Sequence, residues 1–86
     1  MDKEKTVLKI LTRYGLFDRK VIVSKKGVTV FLPEGCRNGD DDSLFEDIAE
    51  ALHDTLGLAI LNVRNGMTAE EFVRKNRVRL EQLGII

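Results

Sequence analysis

The chain has 86 residues, of which 43% are hydrophobic and 33% charged, and its basic and acidic residues cancel to a net charge of zero. These values indicate one globular domain rather than a disordered chain. A net charge of zero argues against a general nucleic-acid binder, which usually has a net basic surface. One cysteine, Cys36, cannot form an internal disulfide, as is typical of a reducing cytoplasm. With no apolar run long enough for a signal peptide or membrane span, we expect a cytoplasmic protein without membrane contact.

The charges are segregated along the chain. Residues 1–27 carry eight Lys/Arg and three Asp/Glu, a balance of +5. Residues 34–54 carry one Arg and eight acids, a balance of −7, and residues 64–82 carry five Lys/Arg and three Glu, a balance of +2. The net charge of zero therefore conceals separate acidic and basic segments, which predict distinct acidic and basic surfaces.

The first half of the chain predicts a helix followed by a hairpin. Apolar residues from Val7 onward follow helical spacing, and the helix should end at Tyr14 because Gly15 supplies the left-handed conformation that follows many helices. In "KVIVSKKGVTVFLP" (residues 20–33), two β-branched runs flank a short turn with glycine, which is typical of paired strands. Pro33 lacks an amide donor and should end the second strand.

The second half predicts a helix, a strand and a last helix. The segment "SLFE" (residues 43–46) matches a capping box that opens a helix, and Gly57 should end that helix. The segment "LAILNV" (residues 58–63) is apolar on both faces, which predicts a strand covered on both sides. A second capping box, "TAEE" (residues 68–71), opens the last helix, although "RVRL" (residues 77–80) is also compatible with an extended segment.

The predicted order is α-β-β-α-β-α over one domain, residues 1–86, in the α+β class. The hairpin is antiparallel, and the helical crossover favours a third strand parallel to the second, so we expect a three-stranded sheet packed by helices. A third strand at the sheet edge would expose unpaired backbone groups, which predicts a homodimer through that edge. The alternative is a monomer in which the last helix covers this strand.

No complete catalytic, metal or cofactor site is found in the sequence. The aspartates at positions 40–42 fit no register of a calcium loop, and we interpret them as the start of a helix, where carboxylates complement the helix dipole. Glu50-x-x-His53 has the spacing of a carboxylate di-metal site, but the chain has one histidine and cannot complete it. A Cys36–His53 pair is the remaining nucleophile candidate, and an incidental cysteine is commoner. We therefore expect no enzyme activity, no metal and no cofactor.

The leading functional hypothesis is a small non-catalytic module, of adaptor or inhibitor type, that binds another protein through segregated charged surfaces. Acidic residues lie on the side of the second helix opposite its apolar face and in the loop before it. The predicted partner-binding residues are Asp40, Asp41, Asp42, Glu46, Asp47, Glu50 and Asp54.

The alternative hypothesis is a nucleic-acid-binding regulator that uses the first helix, the hairpin turn and the C-terminal basic segment. Most of the five aromatic residues fall on predicted core faces, so no base-stacking platform is apparent. The residues assigned to this alternative are Lys5, Lys9, Arg13, Lys25, Lys26, Arg74, Lys75, Arg77 and Arg79.

Overall fold

A computed structural model of the chain describes residues 2–35, 41–53 and 57–86, with the backbone only at residue 41. The described elements, in chain order, are α1 (Lys3–Arg13), β1 (Lys20–Ser24), β2 (Gly27–Pro33), α2 (Asp41–Leu52), β3 (Leu58–Val63), α3 (Ala69–Lys75) and α4 (Arg77–Gln82). The predicted order α-β-β-α-β-α is confirmed, with the last predicted helix divided into α3 and α4.

Helix α1 is closed at both ends by local hydrogen bonds. The Asp2 side chain caps the first turn by accepting from the Lys5 amide at 3.2 Å. At the other end Tyr14 is the C-cap, and Gly15 has a φ of 69°. A residue with a side chain would be strained at that φ, but glycine is not, so the chain turns away from the helix there at little cost. The predicted end of the first helix is confirmed.

The sheet has the strand order β1-β2-β3, so β2 is its central strand. Strands β1 and β2 are antiparallel and pair up to Ser24 and Gly27, which leaves a two-residue turn between them. Strands β2 and β3 are parallel over their whole length, from Val28 beside Leu58 to Pro33 beside Val63. The predicted hairpin, its end at Pro33 and the parallel third strand are all confirmed.

Helices cover the sheet on both faces. Alternate residues of a strand point to opposite faces, so each face buries its own set of side chains. On one face α1 and α2 pack on alternate positions of β2, with Val28, Val30 and Leu32 buried among their apolar side chains. On the other face Phe31 is fully buried with residues of α3 and α4. The result is three layers, α1–α2, sheet, α3–α4, with one apolar core on each side of the sheet.

The backbones of Gly27 and Gly57 touch where β2 and β3 begin. A Cβ atom at Gly27 would overlap the Gly57 carbonyl group, and one at Gly57 would overlap the Lys26 carbonyl oxygen. The Val28 amide donates to the Gly57 carbonyl oxygen at 3.0 Å. Gly27 is expected as a turn residue. Because it has no side chain, it also lets the two strands approach each other closely.

The boundaries of α2 differ from the prediction at both ends. The helix begins at Asp41, so Ser43 is its third residue, and the predicted capping box at residues 43–46 is wrong. Carboxylates at the first two helical positions are stabilised by the positive helix end, which allows this earlier start. At the other end the helix stops at Leu52, and His53 has a φ of 55°. The predicted end at Gly57 is wrong, because His53 already leaves the helix.

The last predicted helix is divided at Asn76. Thr68 caps α3 by accepting from the Glu71 amide at 3.1 Å, so the second predicted N-cap is confirmed. The Asn76 amide and its side-chain nitrogen both donate to the Phe72 carbonyl oxygen, at 3.0 and 2.9 Å. An asparagine side chain that competes for backbone partners in this way favours a helix end. Residues 77–80 begin a new helix, α4, so the extended alternative for "RVRL" is wrong.

Strand β3 is only partly covered. Leu61 is 44% exposed and Asn62 is exposed, so the prediction of a strand covered on both sides is wrong at these positions. Leu61 lies on the same face as Phe31, and it is exposed because α3 contacts β1 and β2 more than β3. As the outer strand, β3 has the position that the predicted homodimer requires, and the homodimer itself remains a prediction.

The Gly27–Gly57 contact predicts a large penalty for a methyl group at Gly57. We expect Gly57→Ala to lower the free energy of unfolding by about 1–3 kcal/mol more than Gly66→Ala, because a side chain must displace packed backbone. Gly66 is a matched control, since its φ of 70° is close to the 78° of Gly57 but no atom lies within 4 Å of its added Cβ. Chemical denaturation measures both, and equal losses would contradict a contact-based role for Gly57.

The Thr68 cap predicts a smaller, chemically specific effect. Thr68→Ala should cost about 0.5–2 kcal/mol of stability, because the Glu71 amide loses its side-chain acceptor. Thr68→Ser keeps the hydroxyl group and should retain most of the wild-type melting temperature. If serine and alanine lower the melting temperature equally, the hydroxyl group is not what stabilises the start of α3.

Candidate interaction surface on the first two helices

Helices α1 and α2 lie side by side on one face of the sheet and bury their apolar stripes against it. Their apolar residues recur every three or four positions, so one side of each helix faces the sheet and the other faces solvent. The buried residues of the two helices are Val7, Ile10 and Leu11 in α1 and Leu44, Ile48, Ala49 and Leu52 in α2. The outer sides of α1 and α2 together form one surface layer, and they carry charges of opposite sign.

The outer side of α1 carries a row of three cations. Lys5, Lys9 and Arg13 are four residues apart, and all three are exposed. On an α-helix that spacing advances about 6 Å along the axis per step, so the row spans about 12 Å. Within the described part of the chain, none of the three side chains forms an ion pair. These three residues are called the basic row below.

The outer side of α2 carries a matching row of three carboxylates. Asp42, Glu46 and Glu50 are also four residues apart, and all three are exposed. None of their side chains has a hydrogen bond or ion pair with any residue that the structure describes. These three residues are called the acidic row below. Of the other predicted acidic residues, Asp40 and Asp54 lie outside the described residues, and only the backbone of Asp41 is described.

Asp47 differs from the other acids of α2 because the fold uses it. Its Oδ2 atom accepts a hydrogen bond from the Tyr14 hydroxyl at 2.6 Å. Tyr14 is the C-cap of α1, so this bond joins the end of one helix to the middle of the other. The structure therefore assigns Asp47 a structural contact, which the sequence analysis did not separate from the partner-binding residues.

An open groove of about 820 Å³ runs along α1 beside the basic row. Its lining is mostly apolar, because half-buried Leu8 and Ala51 contribute to it together with the edge of Ile10. Among the described residues, its lining consists of Lys5, Thr6, Leu8, Lys9, Ile10, Thr12, Arg13 and Ala51. Sequence reasoning missed the groove, since only the packing of α2 against α1 brings Ala51 beside α1.

The structure does not bring the remaining predicted basic residues to this layer. Arg74 and Lys75 belong to α3, and Arg77 and Arg79 belong to α4, on the opposite side of the sheet from α1. In α4, Arg77 pairs with Glu81 at 3.3 Å. At the hairpin turn Lys25 is exposed, and the Lys26 Nζ atom donates to the Leu83 carbonyl oxygen at 2.8 Å. The nine residues of the nucleic-acid alternative thus lie on separate surfaces.

The metal site and the Cys36–His53 pair considered from the sequence find no additional residues among those that the structure describes. Residues 2–35, 41–53 and 57–86 contain no cluster of three His, Cys, Asp or Glu side chains that could hold a metal ion. Cys36 lies outside the described residues, and His53 is exposed just after the end of α2. Among the same described ranges, no helix is both long and apolar enough to cross a membrane.

The fold and this surface define a small α+β domain whose outer helical layer carries a basic row, an apolar groove and an acidic row. Comparison with protein-family models, with curated proteins and with solved structures gives no match.

The Tyr14–Asp47 hydrogen bond predicts a measurable coupling between α1 and α2. A double-mutant cycle with Tyr14→Phe and Asp47→Ala should give about 0.5–1.5 kcal/mol, because a single hydrogen bond contributes about that much net stability. The cycle is needed because each single substitution can also change other interactions of its own residue. Unfolding in urea measures all four proteins. Additive losses would show that the bond does not stabilise the fold.

Proposed function

We propose that the chain is a small non-catalytic module that binds another protein through the acidic row of α2. The observation that supports this function is the arrangement of Asp42, Glu46 and Glu50 in one exposed stripe without a partner among the described residues. Complementary charges across an interface steer association and select the partner, so such a stripe suits docking on a basic surface of another protein.

The acidic row slightly weakens its own helix. Like charges four residues apart, here Asp42 with Glu46 and Glu46 with Glu50, repel by a few tenths of a kcal/mol per pair. Asp42 is compensated by the positive start of α2, but Glu50 lies in the last turn, where the helix dipole disfavours a carboxylate. Acids scattered over the surface would supply the same solubility without this repulsion. The alignment therefore favours a role outside the fold.

Nucleic-acid binding is less well supported by the same surfaces. The basic row and the cations of α3 and α4 lie on opposite sides of the sheet, so a straight duplex cannot contact all of them at once. The acidic row also lies beside the basic row in the same layer and would repel a phosphate backbone that extends across it. We therefore favour a protein partner.

The proposal is tested by affinity capture with wild-type and Glu46→Lys/Glu50→Lys baits. We expect the charge-reversed bait to lose the captured protein, and the purified partner to associate more slowly with it and with less dependence on salt. The matched control is Glu34→Lys/Glu70→Lys, which makes the same charge change at two exposed carboxylates away from α2. The control bait should retain the partner.

Two outcomes would contradict the proposal. One is a partner that associates with the Glu46→Lys/Glu50→Lys variant at the wild-type rate in low salt. The other is a wild-type protein that co-purifies with nucleic acid, seen as a high 260/280 nm absorbance ratio that falls in strong salt. That ratio is sensitive here because the chain has no tryptophan and one tyrosine.

A further inference from the structure

The groove along α1 has a chemistry of its own that the acidic row does not explain. Its apolar lining comes from Leu8, Ile10 and Ala51, and the basic row stands along it. We infer that this groove holds an acidic segment of a protein partner that also inserts an apolar side chain. The inference rests on the proposed function, since it takes the outer layer of α1 and α2 to be a docking surface.

The spacing of the basic row matches a helical acidic segment. Carboxylates four residues apart on a partner helix repeat every 6 Å or so, which is the repeat of Lys5, Lys9 and Arg13 on α1. A partner helix lying along α1 can therefore place one carboxylate near each cation. The three cations are exposed and have no ion pair with a described residue, so a partner breaks no ion pair among the described residues when it binds them.

Charge alone would bind weakly, and the groove supplies the rest. Exposed ion pairs are screened by water and salt and each contributes little, so three of them do not hold a partner against the cost of association. The half-buried side chains of Leu8 and Ala51 give an inserted leucine or methionine an apolar surface. The aliphatic stems of the lysines extend that surface while their ammonium groups stay in water. Apolar insertion provides affinity, and the basic row provides orientation.

The groove chemistry disfavours two other occupants. A second copy could offer its own acidic row to the basic row, but Asp42, Glu46 and Glu50 are polar and leave the groove unfilled. A nucleic-acid backbone brings negative charge but no aliphatic group. The described residues of the groove lining also include no aromatic ring on which a base could stack.

The test uses a fluorescein-labelled helical peptide with glutamate at every fourth residue and a leucine three positions after each glutamate. Fluorescence anisotropy measures its affinity for the wild-type protein and for Lys5→Glu/Lys9→Glu/Arg13→Glu. We expect the triple variant to bind at least about tenfold more weakly. The matched control, Lys25→Glu/Arg74→Glu/Arg79→Glu, has the same net charge at exposed positions elsewhere and should bind like wild type.

A second peptide, with serine in place of each leucine, tests the groove separately from the charges and should also bind at least about tenfold more weakly.

A nuclear magnetic resonance titration of the wild-type protein needs no variant. Peptide-induced shifts at residues 5–13 and at Ala51 support the inference even if the triple variant does not fold, and shifts confined to other residues overturn it.

Four further outcomes would overturn the inference. The first is an equal loss of affinity in both triple variants, and the second is equal binding of the leucine and serine peptides. The third is tighter binding of a labelled oligothymidine than of the peptide, and the fourth is self-association that the α1 triple variant abolishes. The Glu46→Lys/Glu50→Lys variant should still bind the peptide. The two proposals can fail separately. If the Glu46→Lys/Glu50→Lys bait loses the partner but the peptide does not bind the wild-type protein, this inference is rejected and the proposed function stands.

Discussion

The backbone contact between Gly27 and Gly57 holds the first residues of β2 and β3 together, and the rest of the sheet extends from it. The Val28 amide bonds to the Gly57 carbonyl, and from there the two parallel strands pair residue by residue to Pro33 and Val63. Parallel pairing needs a long crossover, which here contains α2. The approach at these glycines therefore sets the register of β3 and the place where the chain returns from α2.

The pairing of the central strand β2 decides which of its side chains enter each core. In β2, Val30 and Leu32 face α1 and α2, while Phe31 between them faces α3 and α4 and lies 6.0 Å, ring centre to ring centre, from Phe72. A slip by one residue would exchange these sets between the two faces. With helices on both sides, the slip would remove apolar side chains from two cores at once, so the central strand tolerates one register.

The outer layer follows from the same packing. The apolar stripes of α1 and α2 must face the sheet, so their polar stripes face solvent together. The Tyr14–Asp47 bond joins the two helices between those stripes. A basic row, an apolar groove and an acidic row then lie within one layer, and a protein partner with complementary charge and an apolar side chain suits such a layer better than a uniform polyanion does.

The sequence by itself determined the element order, the hairpin, the end of α1 and the Thr68 cap, because these depend on residues close together in the chain. It also placed the members of each charged row four residues apart. Only the tertiary structure decided the early start of α2, the break at Asn76 and the exposure of Leu61. The two helix boundaries depend on which of several possible capping residues is used, and the exposure of Leu61 depends on where α3 lies over the sheet. The groove belongs to this second group. Leu8 and Ala51 are 43 positions apart in the chain, and packing on a shared sheet, driven by burial of apolar surface rather than by local sequence, brings them together.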